Sequence, residues 1–305
     1  MAVKTGSWRS AFQAANASCS CCETTDSIGI GNDEAGKREA TVVDSTPIIA
    51  VRGVSCGYGS HVVLSGFTES VRAGEVLCLL GPNGVGKTTV FKTMLGILRP
   101  FDGEVLVQGV PISSYAPRDL ARIVAYVPQA HTPPFAFTAF DVVVMGAAAS
   151  SGFFGIPGNS ERGVAEEVLQ DLGIADLSDR PYTELSGGQR QMILIARAVA
   201  QRPRVLFMGE PTASLDMGNI ARVLSAVRRL AARGMAVVMT THSPEHVAQC
   251  DARGVLVMRS GRMVHGDAKT LLTPKLLTEA YGSPVAIGEI SYDGEALFAC
   301  QPVVG

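Results

Sequence analysis

The chain has 305 residues, 47% of them hydrophobic and 18% charged, enough to bury a substantial core in one large or two modest domains. Its 26 Lys and Arg against 28 Asp and Glu, a formal net charge of −2, exclude a basic nucleic-acid reader, and nucleic acid is not an expected partner. No uninterrupted apolar run reaches the roughly 18–20 residues of a spanning helix, so a membrane role has to come through a partner.

Residues 1–46 are rich in Ala, Ser, Thr, Gly and charge and lack helical or strand periodicity, which predicts a disordered N-terminal extension. Their start, "MAVKTGSWRSAFQAANAS", faintly resembles an organellar transit peptide and has no secretory apolar region. The cluster "SCSCC" at 18–22 has no second Cys/His pair at ligand spacing nearby, and a metal is not expected there. Cys56, Cys78, Cys250 and Cys300 stand alone in apolar or mixed surroundings and are expected to be reduced, buried thiols.

From Pro47 the texture changes. "PIIAVRGVSCGYG" and "HVVLSGFTES" predict strands with Gly-bearing turns, and "EVLCLL" predicts a strand running into a glycine-rich loop and a helix near 87–97. "GEVLVQG" and "RIVAYVP" add two strands. Between 138 and 185 the pattern is helical: "FDVVVMGAAAS" is one helix and "SERGVAEEVLQDLGI" another, with Ser160 as N-cap and Gly173 as C-cap. A long helix over 188–201 leads to the strand "RVLFM", a helix over 219–233, and the strands "MAVVMTT" and "GVLVMR". Strands alternating with helices predict a mostly parallel sheet with an all-helical insert between its halves. The tail after 285 reads as a small strand pair.

The run Gly81, Pro82, Asn83, Gly84, Val85, Gly86, Lys87, Thr88 fits G-x-x-x-x-G-K-[ST] between a strand and a helix, the context that pattern requires. Glycines let backbone N–H groups curl around phosphate oxygens at a helix N-terminus, with Lys87 reaching the β- and γ-phosphates and Thr88, followed by Thr89, supplying a hydroxyl to Mg²⁺. A second anion site is offered by "LSGGQ", where Ser186, Gly187, Gly188 and Gln189 open the long helix. His242 and His246 stand four apart, but a turn between them and the lack of a third ligand argue against a metal site. Ser243 and Pro244 read as N-cap and N1 of a following helix.

With these motifs in this order, residues 47–285 resemble the ATP-binding cassette family. The resemblance implies an α/β phosphate-loop NTPase with a RecA-like, mostly parallel sheet core, an antiparallel β-subdomain and a helical subdomain inserted near 138–185, leaving 286–305 as a short tail. It implies ATP and Mg²⁺ as cofactors and a second cassette subunit, in the homodimer reading, whose signature closes over the ATP. It places Tyr58 on adenine, Gln129 at Mg²⁺ or water, Glu210 as the general base, Asp216 in the loop between subunits and His242 as the switch beside the γ-phosphate. "DVVVMG", "PTASLDMGN" and "TTHSPEHV" most resemble importers of metal chelates, the iron-siderophore, haem and cobalamin systems. There the ATPase docks under transmembrane permease subunits on the cytoplasmic face of the inner membrane, and a substrate-binding protein delivers the cargo.

One residue departs from the family. Gly209 stands where an aspartate normally holds Mg²⁺, usually through water. One negative charge lost about 5 Å from a dication costs on the order of several kcal/mol at an effective dielectric near 20. Relaxation brings this to a few kcal/mol, about a hundredfold in Mg-dependent rate. The expectation is an ATPase that binds well and hydrolyses slowly. A non-hydrolysing, ATP-gated regulatory subunit and an importer ATPase for zinc, manganese or an amino acid stay open as alternatives.

Overall fold

A computed structural model describes residues 46–128, 137–149, 157–293 and 295–304. The N-terminal extension with its cysteine cluster, Gln129, His131 and most of the turn-rich 151–159 segment lie outside the described residues.

Strands β1 (Ile49–Tyr58) and β2 (His61–Val71) form an antiparallel pair, and β3 (Val76–Leu80) runs into the glycine loop and helix α1 (Lys87–Met94). Next come β4 (Asp102–Val107), β5 (Val110–Pro111), α2 (Pro117–Ile123) and β6 (Val124–Val127). Helices α3 (Ala139–Ala148) and α4 (Asn159–Asp171) separate β6 from α5 (Gly187–Ala200) and β7 (Val205–Met208). The chain continues through α6 (Met217–Ala232), β8 (Ala236–Thr241), α7 (Glu245–Gln249), β9 (Arg253–Val257) and β10 (Met263–Gly266). It ends in α8 (Ala268–Leu271), α9 (Pro274–Tyr281) and the hairpin β11 (Val285–Tyr292) and β12 (Glu295–Pro302).

The central sheet has the order β10-β9-β3-β8-β7-β6, parallel except at the β10 edge, and the second sheet, β2-β1-β4-β5, is antiparallel throughout. The parallel strands β3, β7 and β8 are buried along their whole length, as their unbroken apolar sequences require. Helix α1 lies in the core between the sheets: Phe91 and Met94 join a cluster with Ile49, Phe67, Leu79, Phe207 and Val238. The Phe91 ring meets Phe207 edge-on at a centroid distance of 5.4 Å, a favoured aromatic geometry. A buried carboxylate also ties the sheets together, because Glu69 of β2 pairs with Arg253 of β9 and, at 3.0 Å, with His265 of β10.

The inserted helices pack on α5 through a close crossing. A Cβ on Gly146 of α3 would lie 2.0 Å from the Arg197 carbonyl oxygen of α5, so only glycine allows this approach.

Three local expectations are corrected. Ser160 lies inside α4, whose N-cap is Gly158, because the Glu161 carboxylate accepts from the Gly158 N–H at 2.9 Å and sets the first turn two residues earlier; Gly173 takes the left-handed turn past the helix end, with φ 70°. Pro244, not Ser243, is the N-cap of α7. Cys300 is only partly buried on β12, whereas Cys56, Cys78 and Cys250 are buried as expected. Helix α2 buries none of its residues and left no readable apolar stripe.

Candidate functional site

The glycine loop joins the C-terminal end of β3 to α1. Gly81, Gly84 and Gly86 have φ of 143°, 83° and 101°, a left-handed path that other residues adopt only under strain. Space adds to the constraint, since a Cβ on Gly81 would sit 2.3 Å from the Val257 carbonyl oxygen and one on Gly86 would strike Val63 and Leu64 of β2 at 2.8 Å. No acidic residue occupies the first turn of α1, so the positive end of the helix dipole faces the loop without a neutralising side chain.

Lys87 is buried and its ammonium donates to the carbonyls of Gly81 at 2.7 Å and Pro82 at 2.8 Å. Burial lowers its pKa, and the Glu210 carboxylate partly opposes that shift. Thr88 is exposed at the loop's open side, whereas Thr89 is buried. Asn83 is exposed as well, and Val85 closes the loop's underside against the core. Tyr58, at the end of β1, is 49% exposed, a flat surface free to stack.

Glu210 leaves the end of β7 one residue after Gly209. Its backbone is left-handed, with φ 42°, a strained state for a non-glycine residue. The Thr240 hydroxyl, on the adjacent β8, holds it by accepting from the Glu210 N–H at 2.9 Å. Gly209 donates to the Val127 carbonyl at 3.2 Å and has no left-handed φ. His242 follows β8, and its Nδ1 lies 3.4 Å from the Glu210 carboxylate. Parallel register explains the convergence: β3 and β8 are neighbours, β8 and β7 are neighbours, and Lys87, His242 and Glu210 each come from the segment leaving the carboxyl end of one of them, where open α/β sheets place their ligands.

A second cluster forms around the other glycine motif. Ser186 caps α5 in a reciprocal box, its hydroxyl accepting from the Gln189 N–H at 3.3 Å while the Gln189 amide oxygen accepts from the Ser186 N–H at 3.0 Å. Asp216 caps α6, accepting from the Asn219 N–H at 2.8 Å and its side-chain amide at 2.7 Å. The two helix starts are locked together, because a Cβ on Gly188 would lie 2.1 Å from the Asn219 side-chain carbon; Gly187 sits near Leu215. Among the described residues, no hydrogen bond or ion pair joins this cluster to the one around Lys87. Gln129 lies outside the described residues.

His246 is buried and its Nδ1 lies 2.7 Å from the Thr241 hydroxyl. Burial, helped by neighbouring His242, pulls its pKa down to about 4, so it is a neutral core imidazole. Sequence reasoning missed Thr240 and Asn219, each of which holds a motif residue.

Residues 64–213 match the family model for the ABC transporter domain. An uncharacterized ABC transporter ATP-binding protein of Haemophilus influenzae is 39% identical over 77% of this chain and 89% of its own length. The chain belongs to the ATP-binding cassette family. The hemin import ATP-binding protein of Gloeobacter violaceus is 38% identical over 68% of this chain and 78% of its own. Among solved structures, a protein described as a metal-chelate type ABC transporter in an inward-facing conformation superposes with a TM-score of 0.75 at 31% identity, covering 85% of this chain and 98% of that one. The cassette is thus an ATP-binding ATPase module of the transport class, and among its described residues no helix is long and apolar enough to cross a membrane.

Proposed function

We propose that the chain is the ATP-hydrolysing subunit of an importer for a metal chelate, a haem, iron-siderophore or cobalamin complex. Two copies sit beneath permease subunits at the cytoplasmic face of the membrane, and a substrate-binding protein supplies the cargo. The names of the hemin relative and of the metal-chelate structural neighbour support the cargo class. Two separate half-sites, one around Lys87 and one around Ser186, support a paired arrangement in which each copy completes the other's nucleotide site.

The observation that carries the hydrolytic reading is Glu210, held in a strained conformation by Thr240 and faced by His242 at 3.4 Å. A carboxylate placed this way suits a general base that polarises water toward a phosphorus atom. His242 orients that carboxylate and, as the switch, senses the terminal phosphate. Lys87 leaves its loop carbonyls to neutralise the β- and γ-phosphates, while the N–H groups of Gly84, Gly86, Lys87 and Thr88 wrap around them. Tyr58 stacks on the base, and Ser186, Gly187, Gly188 and Gln189 approach the nucleotide bound by the other copy, with Asp216 between the two sites.

The donor set fits Mg²⁺ only as a companion of the nucleotide. No cluster of three His, Cys, Asp or Glu residues stands ready among the described residues, but the exposed Thr88 hydroxyl beside Lys87 is a hard oxygen donor. That suits an ion that brings its own waters and binds largely through substrate phosphates. Thr88, with Gln129, would hold it, and bound there it supplies charge neutralisation on the phosphate oxygens. Gly209 contributes no carboxylate, and slow turnover follows.

Mg-ATP turnover of the purified protein beside Glu210→Gln tests this reading: loss of at least about a hundredfold in kcat with ATP affinity retained is expected, and equal turnover overturns the base assignment. The missing carboxylate at 209 also favours a second reading, an ATP-gated regulatory subunit. Tight ATP binding with no turnover, even when the permease is present, would select it.

A further inference from the structure

Two sets of contacts brace the loop that carries His242. The Thr241 hydroxyl lies 2.7 Å from His246 Nδ1 and accepts from the Ser243 N–H at 3.1 Å. Tyr281, the last residue of α9, donates its hydroxyl to the His242 carbonyl at 2.7 Å. Tyr281 is itself anchored in the C-terminal segment. The Val285 N–H donates to the Thr278 hydroxyl at 3.1 Å, and the Val303 N–H closes the hairpin onto the Pro284 carbonyl at 2.9 Å. Glu245 of α7 and Cys300 of β12 lie close enough to reinforce the effect of burial, which raises the phenol pKa. The hydroxyl therefore keeps its proton and serves as a donor throughout the physiological range.

The His242 side chain is 49% exposed and its Nδ1 lies 3.4 Å from the Glu210 carboxylate. A half-exposed imidazole held by one long contact takes its direction from its backbone, and Tyr281 grips that backbone. We propose that Tyr281 is a positioning residue for ATP hydrolysis, fixing the His242 main chain so that the imidazole faces Glu210, and that through it the segment 274–304 controls turnover. The inference rests on the reading of Glu210 and His242 given above.

Tyr281→Phe keeps the ring and removes only the hydroxyl. Loss of about one hydrogen bond's net effect on the transition state predicts a five- to tenfold fall in kcat, with KM for ATP unchanged because the phosphate loop is untouched. On a His242→Ala background the same substitution should have no further effect, since the two act as one unit. Unchanged kcat, or an equal loss on both backgrounds, overturns the proposal. A second measurement is independent of hydrolysis: in histidine ring NMR, Tyr281→Phe should move the His242 signal while those of His61 and His265 stay. A fixed His242 signal overturns the proposal even if Glu210→Gln has already removed the base assignment, so the two failures are told apart.

Discussion

Restoring the carboxylate at 209 is the sharpest test of why this cassette should be slow. Gly209 is partly buried at the end of β7 and its φ lies outside the left-handed region, so aspartate can take its place without backbone strain. At an effective dielectric near 20, a new carboxylate about 5 Å from a dication gains about 7 kcal/mol. Repulsion from Glu210, the next residue, at about 6 Å returns about 3 kcal/mol of that, and partial desolvation roughly another 1 kcal/mol. About 3 kcal/mol remains, which corresponds to roughly a hundredfold in kcat/KM for Mg-ATP. Stabilisation shared by bound substrate and transition state shows in the Mg²⁺ half-saturation point, and the rest shows in kcat. Steady-state phosphate release across a Mg²⁺ titration separates the two. Gly209→Asn controls for size, because it adds the same volume without the charge and should leave turnover near wild type. Equal rates for Gly209→Asp and wild type would refute the electrostatic reasoning, and equal gains for Asp and Asn would assign the effect to packing.

Four further outcomes follow from contacts elsewhere. Thr240→Val leaves the Glu210 N–H without the acceptor it now has at 2.9 Å; urea unfolding should show a loss of about 1–3 kcal/mol together with reduced turnover, both recovered in Thr240→Ser. Gly146→Ala forces a methyl to within 2.0 Å of the Arg197 carbonyl oxygen and should cost about 1–3 kcal/mol. Gly163→Ala on α4, where a Cβ meets nothing, should instead stabilise by about 0.5–1 kcal/mol, and a loss there as large as at 146 would discredit the packing argument. The depressed pKa of His246, about 4, means that the unfolded chain takes up a proton below about pH 6.5 that the folded chain refuses. Above that pH the group contributes no pH dependence; between about 6.5 and 4 stability should fall by about 1.4 kcal/mol per unit. His246→Gln removes that slope, and parallel stability–pH curves for wild type and variant would show that the imidazole does not titrate as inferred.

What the sequence disclosed and what it concealed divide along a physical line. Gly81, Gly86 and Gly188 were legible because each solves a backbone problem that no other residue solves: a left-handed φ in the first two, and a Cβ colliding with Val257, β2 or Asn219 in all three. Such constraints stamp a local spelling on the chain, and the spelling survives without any knowledge of neighbours. The alternation of buried strands and helices was legible for a similar reason, since β3, β7 and β8 need apolar side chains on both faces. Helix ends were less so: Gly158, Asn159 and Ser160 are all acceptable starts, and the choice falls to one carboxylate, that of Glu161. The bonds that hold the Glu210 and His242 main chain were invisible. Thr240 reaches Glu210 across 30 residues and Tyr281 reaches His242 across 39, and both bonds engage backbone atoms, which every residue has. A threonine in "MTTH" or a tyrosine in "EAYG" spells nothing about such a partner. Gly209 differs from these glycines in its backbone: it is not among the residues with a left-handed φ. Its effect has to be sought in the negative charge it does not bring to the Mg²⁺ that accompanies the nucleotide.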